Sequence, residues 1–144
     1  MTRFAVDIDD VVLGLLRAGL DPGVTVMSRI PDRLPDFVPL VVAYRSGGSS
    51  NTPSFYDEPL LQVHCWVAPT PQQPDTRRAG SDLADAARGV LYRAWFHQTV
   101  VPGAGHLASY YESSGPLEVG DENLPSFGRY VASYRIKIRP ARQQ

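Results

Sequence analysis

The residues that are most suggestive of chemistry lie near the N-terminus, in the string Asp7-Ile8-Asp9-Asp10. Closely spaced aspartates are residues that hydrolytic chemistry uses, and residues 3–6 before them could form a short strand. The simpler interpretation is structural. Asp7 fits the N-cap of a helix, and Asp9 and Asp10 then fall in its first turn, where the helix dipole favours acids. We therefore favour a capping role for all three.

The spacing of Asp7 and Asp9 resembles the D-x-D motif of haloacid-dehalogenase phosphatases. The resemblance implies that Asp7 would be the nucleophile and that both aspartates would bind magnesium. That fold also needs a doubly wound parallel sheet, a helical lysine and a later acidic metal motif. The chain's only lysine, Lys137, lies inside a strand pattern, and Gly120-Asp121-Glu122 lies in a short loop. A magnesium-dependent phosphatase is therefore the alternative function from a different class.

The remaining candidates form no coherent site. Adjacent residues of a strand face opposite ways, so His64 and Cys65 cannot bind one ion together. His97 and His106 flank a turn, but no third ligand is evident, and zinc usually takes four donors. Gly103-Ala104-Gly105 lacks the preceding strand and the following helix of a dinucleotide fingerprint. We expect a protein that is not an enzyme, with no catalytic, cofactor-binding or metal-binding residues.

Composition excludes several classes of function. Fourteen Lys plus Arg against fifteen Asp plus Glu give a formal net charge of -1, which argues against a global electrostatic grip on nucleic acid. Cys65 is the only cysteine, which excludes an internal disulfide and suits assembly in a reducing cytoplasm. No apolar run approaches the roughly 18 residues of a membrane span, so no membrane partner is expected.

Periodicity predicts the elements that position these residues. Apolar stripes at helical spacing predict helices over residues 8–20 and from a start within 75–81 to near residue 97. Strands are predicted over 24–27, 38–44, 60–68, 107–112 and 127–139, with loops at 46–54 and 113–126. The last two strands are joined without a helix and should pair antiparallel. The expected fold is a single α+β domain over residues 1–144, in which two helices cover one face of an antiparallel or mixed sheet of about four to five strands.

The final strand has the clearest pattern in the chain. One face is predicted to lie on a core and carries Tyr130, Ala132, Tyr134, Ile136 and Ile138. The opposite face carries the bases Arg129, Arg135, Lys137 and Arg139. These bases are candidates for phosphate contacts, but a face that contacts solvent or a subunit is the favoured interpretation. We expect this face to meet acidic surface of a neighbouring protein rather than to grip DNA.

Diffuse features along nearly the whole chain point to one family. They are the acidic start of the first helix (Asp10-Val11-Val12 to Leu20), the proline-rich stretch before Pro39-Leu40-Val41-Val42, the Gly47-Gly48 loop, Asp57-Glu58-Pro59 before residues 60–66, Ala79 with Asp82-Leu83-Ala84, and the strand from Arg129-Tyr130 to Arg139. Together they resemble the tail-terminator, or tail-completion, proteins of long-tailed bacteriophages, particularly those of actinobacterial hosts.

The resemblance implies a structural virion protein of the tail and neck that assembles in the bacterial cytoplasm as a ring, usually a hexamer. Such a ring caps the tail tube, ends its polymerisation and meets the head–tail connector, while genome DNA passes through its centre without sequence-specific binding. Another neck, head-closure or minor tail component is the alternative within the same biology.

The glycine-rich loop is a second candidate contact region. Its composition predicts that residues 46–56 are mobile in the free protein and become ordered in the assembly. Gly47, Gly48, Phe55 and Tyr56 therefore join the four bases of the last strand as predicted partner contacts.

Overall fold

The computed structural model describes residues 9–49 and 58–141, which form one sheet with helices on one side. The first helix begins as a π-helical turn, Asp9–Leu13, and continues as α1, Gly14–Gly19, while the long helix α2 spans Arg77–Phe96. A 3₁₀ turn covers Leu34–Phe37. The strands are β1 (Thr25–Met27), β2 (Leu40–Ser49), β3 (Glu58–Val67), β4 (Gly105–Glu118) and β5 (Gly128–Pro140).

The sheet is mixed, with the strand order β1-β2-β3-β5-β4. β1 pairs parallel with β2, and the other neighbouring strands pair antiparallel, including β4 with β5 as the sequence predicts. The α+β prediction is therefore confirmed. The antiparallel pairing does not fit the doubly wound parallel sheet that the phosphatase alternative requires, so the fold argues against that alternative.

Both helices pack on the same face of the sheet, where the main hydrophobic core lies. The apolar stripe of α2 faces β3, β4 and β5 and includes Leu83, Ala87 and Leu91. The alternation predicted for the last strand is confirmed, because its apolar residues Ala132, Tyr134, Ile136 and Ile138 are buried in this core. Asp9 and Asp10 lie in the first helical turn, as predicted, whereas Asp7 lies outside the described residues.

A second, smaller core lies on the opposite face of the sheet. Its buried members are Leu34, Leu40, Val42 and Trp66. The 3₁₀ turn contributes Leu34, and the turn before β5 adds Leu124 and Phe127 at its margin. These two segments cover only part of the face, which therefore has two distinct ends.

The two ends are named here by their residues. The covered end contains Leu40, His64, Trp66 and Arg129. The open end contains Leu60, Tyr111, Arg135, Lys137 and Arg139. The pairing register sets these groups, since Trp66 lies opposite Arg129, while Leu60 and Tyr111 both lie opposite Arg135.

The loop predicted at 46–54 is wrong in its first part. β2 continues through Gly47 and Gly48 to Ser49, with a register shift after Arg45, and pairs with β3 as far as Glu58. Gly48 has a φ of 101°, and a Cβ at this position would clash with the carbonyl oxygen of Glu58, so the strand needs glycine here. Residues whose composition is typical of a loop therefore form the end of a strand here. Phe55 and Tyr56 lie outside the described residues.

The loop predicted at 113–126 is also shorter than expected, because β4 runs on to Glu118. Register shifts between Glu112 and Ser114 and between Ser114 and Leu117 accommodate the extra residues, as β-bulges do. Pro116 is tolerated because β4 is an edge strand, where a missing N–H donor breaks no ladder bond on the outer side. Residues 119–127 form the actual connection between β4 and β5.

Candidate partner interface

The four bases predicted as contact residues share one face of β5 but have different surroundings. Arg129 and Lys137 are half-buried, whereas Arg135 and Arg139 are exposed. A strand rises about 3.3 Å per residue, so Arg129 and Arg139 lie roughly 33 Å apart. The bases therefore belong to two separate places rather than to one binding site.

At the covered end, Arg129 is engaged within the chain. Its Nη2 donates a hydrogen bond to Nδ1 of His64 over 3.0 Å. Its guanidinium carbon lies 5.2 Å from the centroid of the Trp66 ring, which is the geometry of a cation–π contact. The guanidinium of Arg129 therefore contacts residues of its own chain.

His64 connects this arginine to β2. A guanidinium has no acceptor, so Nδ1 of His64 must accept from Arg129, and Nε2 carries the proton that it donates to the Tyr44 hydroxyl over 3.1 Å. Burial, and after it the positive charge of Arg129, lower the pKa of His64 from its usual 6.5 to about 4. His64 is therefore neutral at pH 7 and fixes the position of Arg129.

The open end is different because it is lined by charged and exposed side chains. A cleft of about 410 Å³ lies among Gly48, Glu58, Leu60, Tyr111, Arg135 and Lys137. Lys137 Nζ lies 3.4 Å from Glu58 Oε1, while Arg135 is exposed and Tyr111 is 65% exposed. The cleft thus brings together three of the predicted contact residues, Gly48, Arg135 and Lys137.

A cluster of acids lies at the other end of the β4–β5 hairpin. We call Glu118, Asp121 and Glu122 the acidic turn. Asp121 Oδ1 accepts a hydrogen bond from the Asn123 backbone N–H over 2.9 Å, and the Leu124 N–H donates to the Asp121 carbonyl over 3.1 Å. The loop composition predicts where these acids lie but does not predict that the turn has a fixed shape. The signal that was missed is Asp121 two residues before Asn123, which is typical of an Asx turn.

Neither end has the arrangement of a metal centre. In the described ranges 9–49 and 58–141, no group of three or more His, Cys, Asp or Glu residues is placed to hold an ion. His64 and Cys65 face opposite sides of the sheet, as predicted, and burial in the main core raises the pKa of Cys65 to about 12. Among the described helices, none has the length and apolar character needed to cross a membrane.

Comparison with known families gives this surface its context. The sequence profile of a family described as phage tail termination protein matches residues 4–144. The chain belongs to this family. It is therefore a structural protein of bacteriophage virion assembly, located at the tail, and the predicted family is confirmed. No curated protein matches the chain.

Proposed function

We propose that this chain forms a closed ring of six copies that caps the finished tail tube, ends its polymerisation and joins the tail to the head–tail connector. Genome DNA passes through the ring without sequence-specific binding, and the chain performs no catalysis. Assembly takes place in the cytoplasm of the bacterial host. The family favours this role over that of a head-closure protein, since the match is to tail termination.

The observation that carries the proposal is the open end of the sheet. It combines exposed Arg135, exposed Tyr111 and the partly apolar cleft beside them, which are features of a surface that binds protein. Gly48 lines the same cleft, so we include Gly47 and Gly48 in the proposed contact region. Phe55 and Tyr56, which lie outside the described residues, are included from the sequence alone.

The charges favour an acidic protein surface as partner over DNA. The formal net charge of the chain is -1, and one of the four bases of β5, Arg129, is already engaged with His64. A channel through which DNA slides gains little from tight phosphate contacts. Contacts between partly exposed charges should weaken as salt rises, because charges are screened over roughly 8 Å at physiological ionic strength.

Native mass spectrometry of concentrated protein and of purified tails tests the ring directly. We expect six copies in the completed tail. A single copy in the mature tail would contradict the proposal.

Charge reversal tests the role of the open end. Arg135→Glu should reduce ring assembly while leaving the circular dichroism spectrum unchanged, because the side chain is exposed. Arg93→Glu makes the same charge change at an exposed position of α2 and should assemble normally. Intact rings with impaired DNA ejection in the Arg135 variant would instead place this face in the lumen.

A further inference from the structure

The β4–β5 hairpin carries opposite charges at its two ends. The acidic turn, Glu118, Asp121 and Glu122, lies at the tip of the hairpin, and the bases Arg135, Lys137 and Arg139 lie toward its base. Between Gly128 and Lys137 the strand advances roughly 30 Å. The two ends of one copy therefore cannot touch each other, so an ion pair between exposed Glu122 and exposed Arg135 requires a second molecule.

Each end also presents an apolar side chain on the same face of the sheet. Leu117 is 61% exposed next to the acidic turn, and Tyr111 is 65% exposed at the open end. The register places Leu117 opposite Val131 and Tyr111 opposite Arg135, so both project from the face that bears the bases. An apolar contact surrounded by charged residues is the usual anatomy of a protein–protein interface.

Both surfaces are held in shape before any contact forms. The acidic turn is fixed by the hydrogen bonds of Asp121, and Leu124 and Phe127 attach it to the second core. The bases of the open end lie on β5, a central strand of the sheet. Binding between two such surfaces loses little freedom of the backbone, which favours affinity.

We infer that the acidic turn of one copy docks on the open end of a second copy of this chain. The inference rests on the ring proposed above and specifies its contact. The same two surfaces occur on every copy, so one contact repeats head to tail, and such heterologous contacts close into a ring when the rotation between neighbours allows it.

Paired charge reversals test this contact. Glu122→Lys and Arg135→Glu should each raise the protein concentration needed for ring assembly by about tenfold or more, because each places like charges across the contact. A 1:1 mixture of the two variants should assemble again, since each contact then has one acidic and one basic partner. Asp85→Lys and Arg93→Glu, at exposed positions of α2, are the matched controls and should assemble alone.

The outcomes separate this inference from the proposed function. Wild-type rings together with normal assembly of both single variants would overturn the inference and leave the ring intact. Failure of the mixture to recover would also overturn it, because the acidic partner would then be a different protein. A closed dimer as the largest wild-type species, on tails as well as in solution, would overturn both the head-to-tail contact and the ring.

Discussion

Arg129 and Arg135 lie on the same face of the same strand, yet they have opposite environments. Arg129 is half-buried, hydrogen-bonded to His64 and stacked over Trp66. Arg135 is exposed beside a cleft. The difference follows from their neighbours on the sheet, since Arg129 lies opposite Trp66, a buried member of the second core, whereas Arg135 lies opposite half-buried Leu60.

This difference means that one strand pattern serves two purposes. At the covered end, the basic residue strengthens the fold of a single copy. At the open end, Arg135 and Arg139 are exposed, so a neighbour can reach them. Substitutions at the covered end should therefore change stability, and substitutions at the open end should change assembly.

The largest effect on stability is expected at Trp66, which is 1% exposed in the second core. Trp66→Ala should lower the free energy of unfolding by about 3–5 kcal/mol, because it removes a large buried ring and leaves a cavity. The matched change at the open end, Tyr111→Ala, should stay within about 0.5 kcal/mol. Urea unfolding measures both values. Similar losses of unfolding free energy in the two variants would show that the second core does not make the covered end more important for stability than the open end.

A smaller effect is expected when the arginines themselves are shortened. Arg129→Ala should cost about 2 kcal/mol, because it removes the hydrogen bond to His64 and the contact with Trp66. Arg135→Ala should change the free energy of unfolding by less than about 0.5 kcal/mol. Equal costs would contradict the proposed division of roles along β5.

A third effect, of about the same size as that of Arg129→Ala, depends on pH. His64 has a pKa of about 4 in the fold against a usual 6.5, so the unfolded chain takes up its proton first as the pH falls. The stability contributed by neutral His64 is complete above pH 6.5 and is lost as the pH falls toward 4, with about 2 kcal/mol lost by pH 5. His64→Gln should remove this part of the pH dependence in unfolding curves recorded between pH 7 and 5. An unchanged slope would show that His64 is not the group responsible.

The sequence predicted those parts of the fold that depend on local periodicity. The alternation from Tyr130 to Ile138 predicted which face of β5 is buried, and the stripe of α2 predicted which side of that helix packs. The prediction was wrong at Gly47, Gly48 and Ser114, because segments rich in glycine and serine are typical of loops. Pairing with a distant strand decides the outcome there, and local composition does not report on it.

The candidate interface was predicted only in part, for a related reason. Alternation places Arg129 and Arg135 on one face but cannot show which of them is covered. That depends on the second core, to which Leu34 and Phe127 come from distant parts of the sequence and which includes Trp66 beside Arg129. The fixed shape of the acidic turn depends both on the local hydrogen bonds of Asp121 and on the packing of Leu124 and Phe127 against the second core.

Cross-linking at Lys137 tests whether the acidic turn of one copy contacts the open end of another. Lys137 is the only lysine of the chain. A carbodiimide joins amines to carboxylates that are in contact, so every cross-link to a lysine side chain must come from Lys137. Rings would be assembled on tail tubes from a mixture of ¹⁵N-labelled and unlabelled copies. Within one copy, Glu58 lies 3.4 Å away and provides the internal reference product. We expect an additional product that joins Lys137 of one isotopic form to Glu118, Asp121 or Glu122 of the other. Complete rings that yield the Glu58 product and no link between copies at the acidic turn would contradict this expectation.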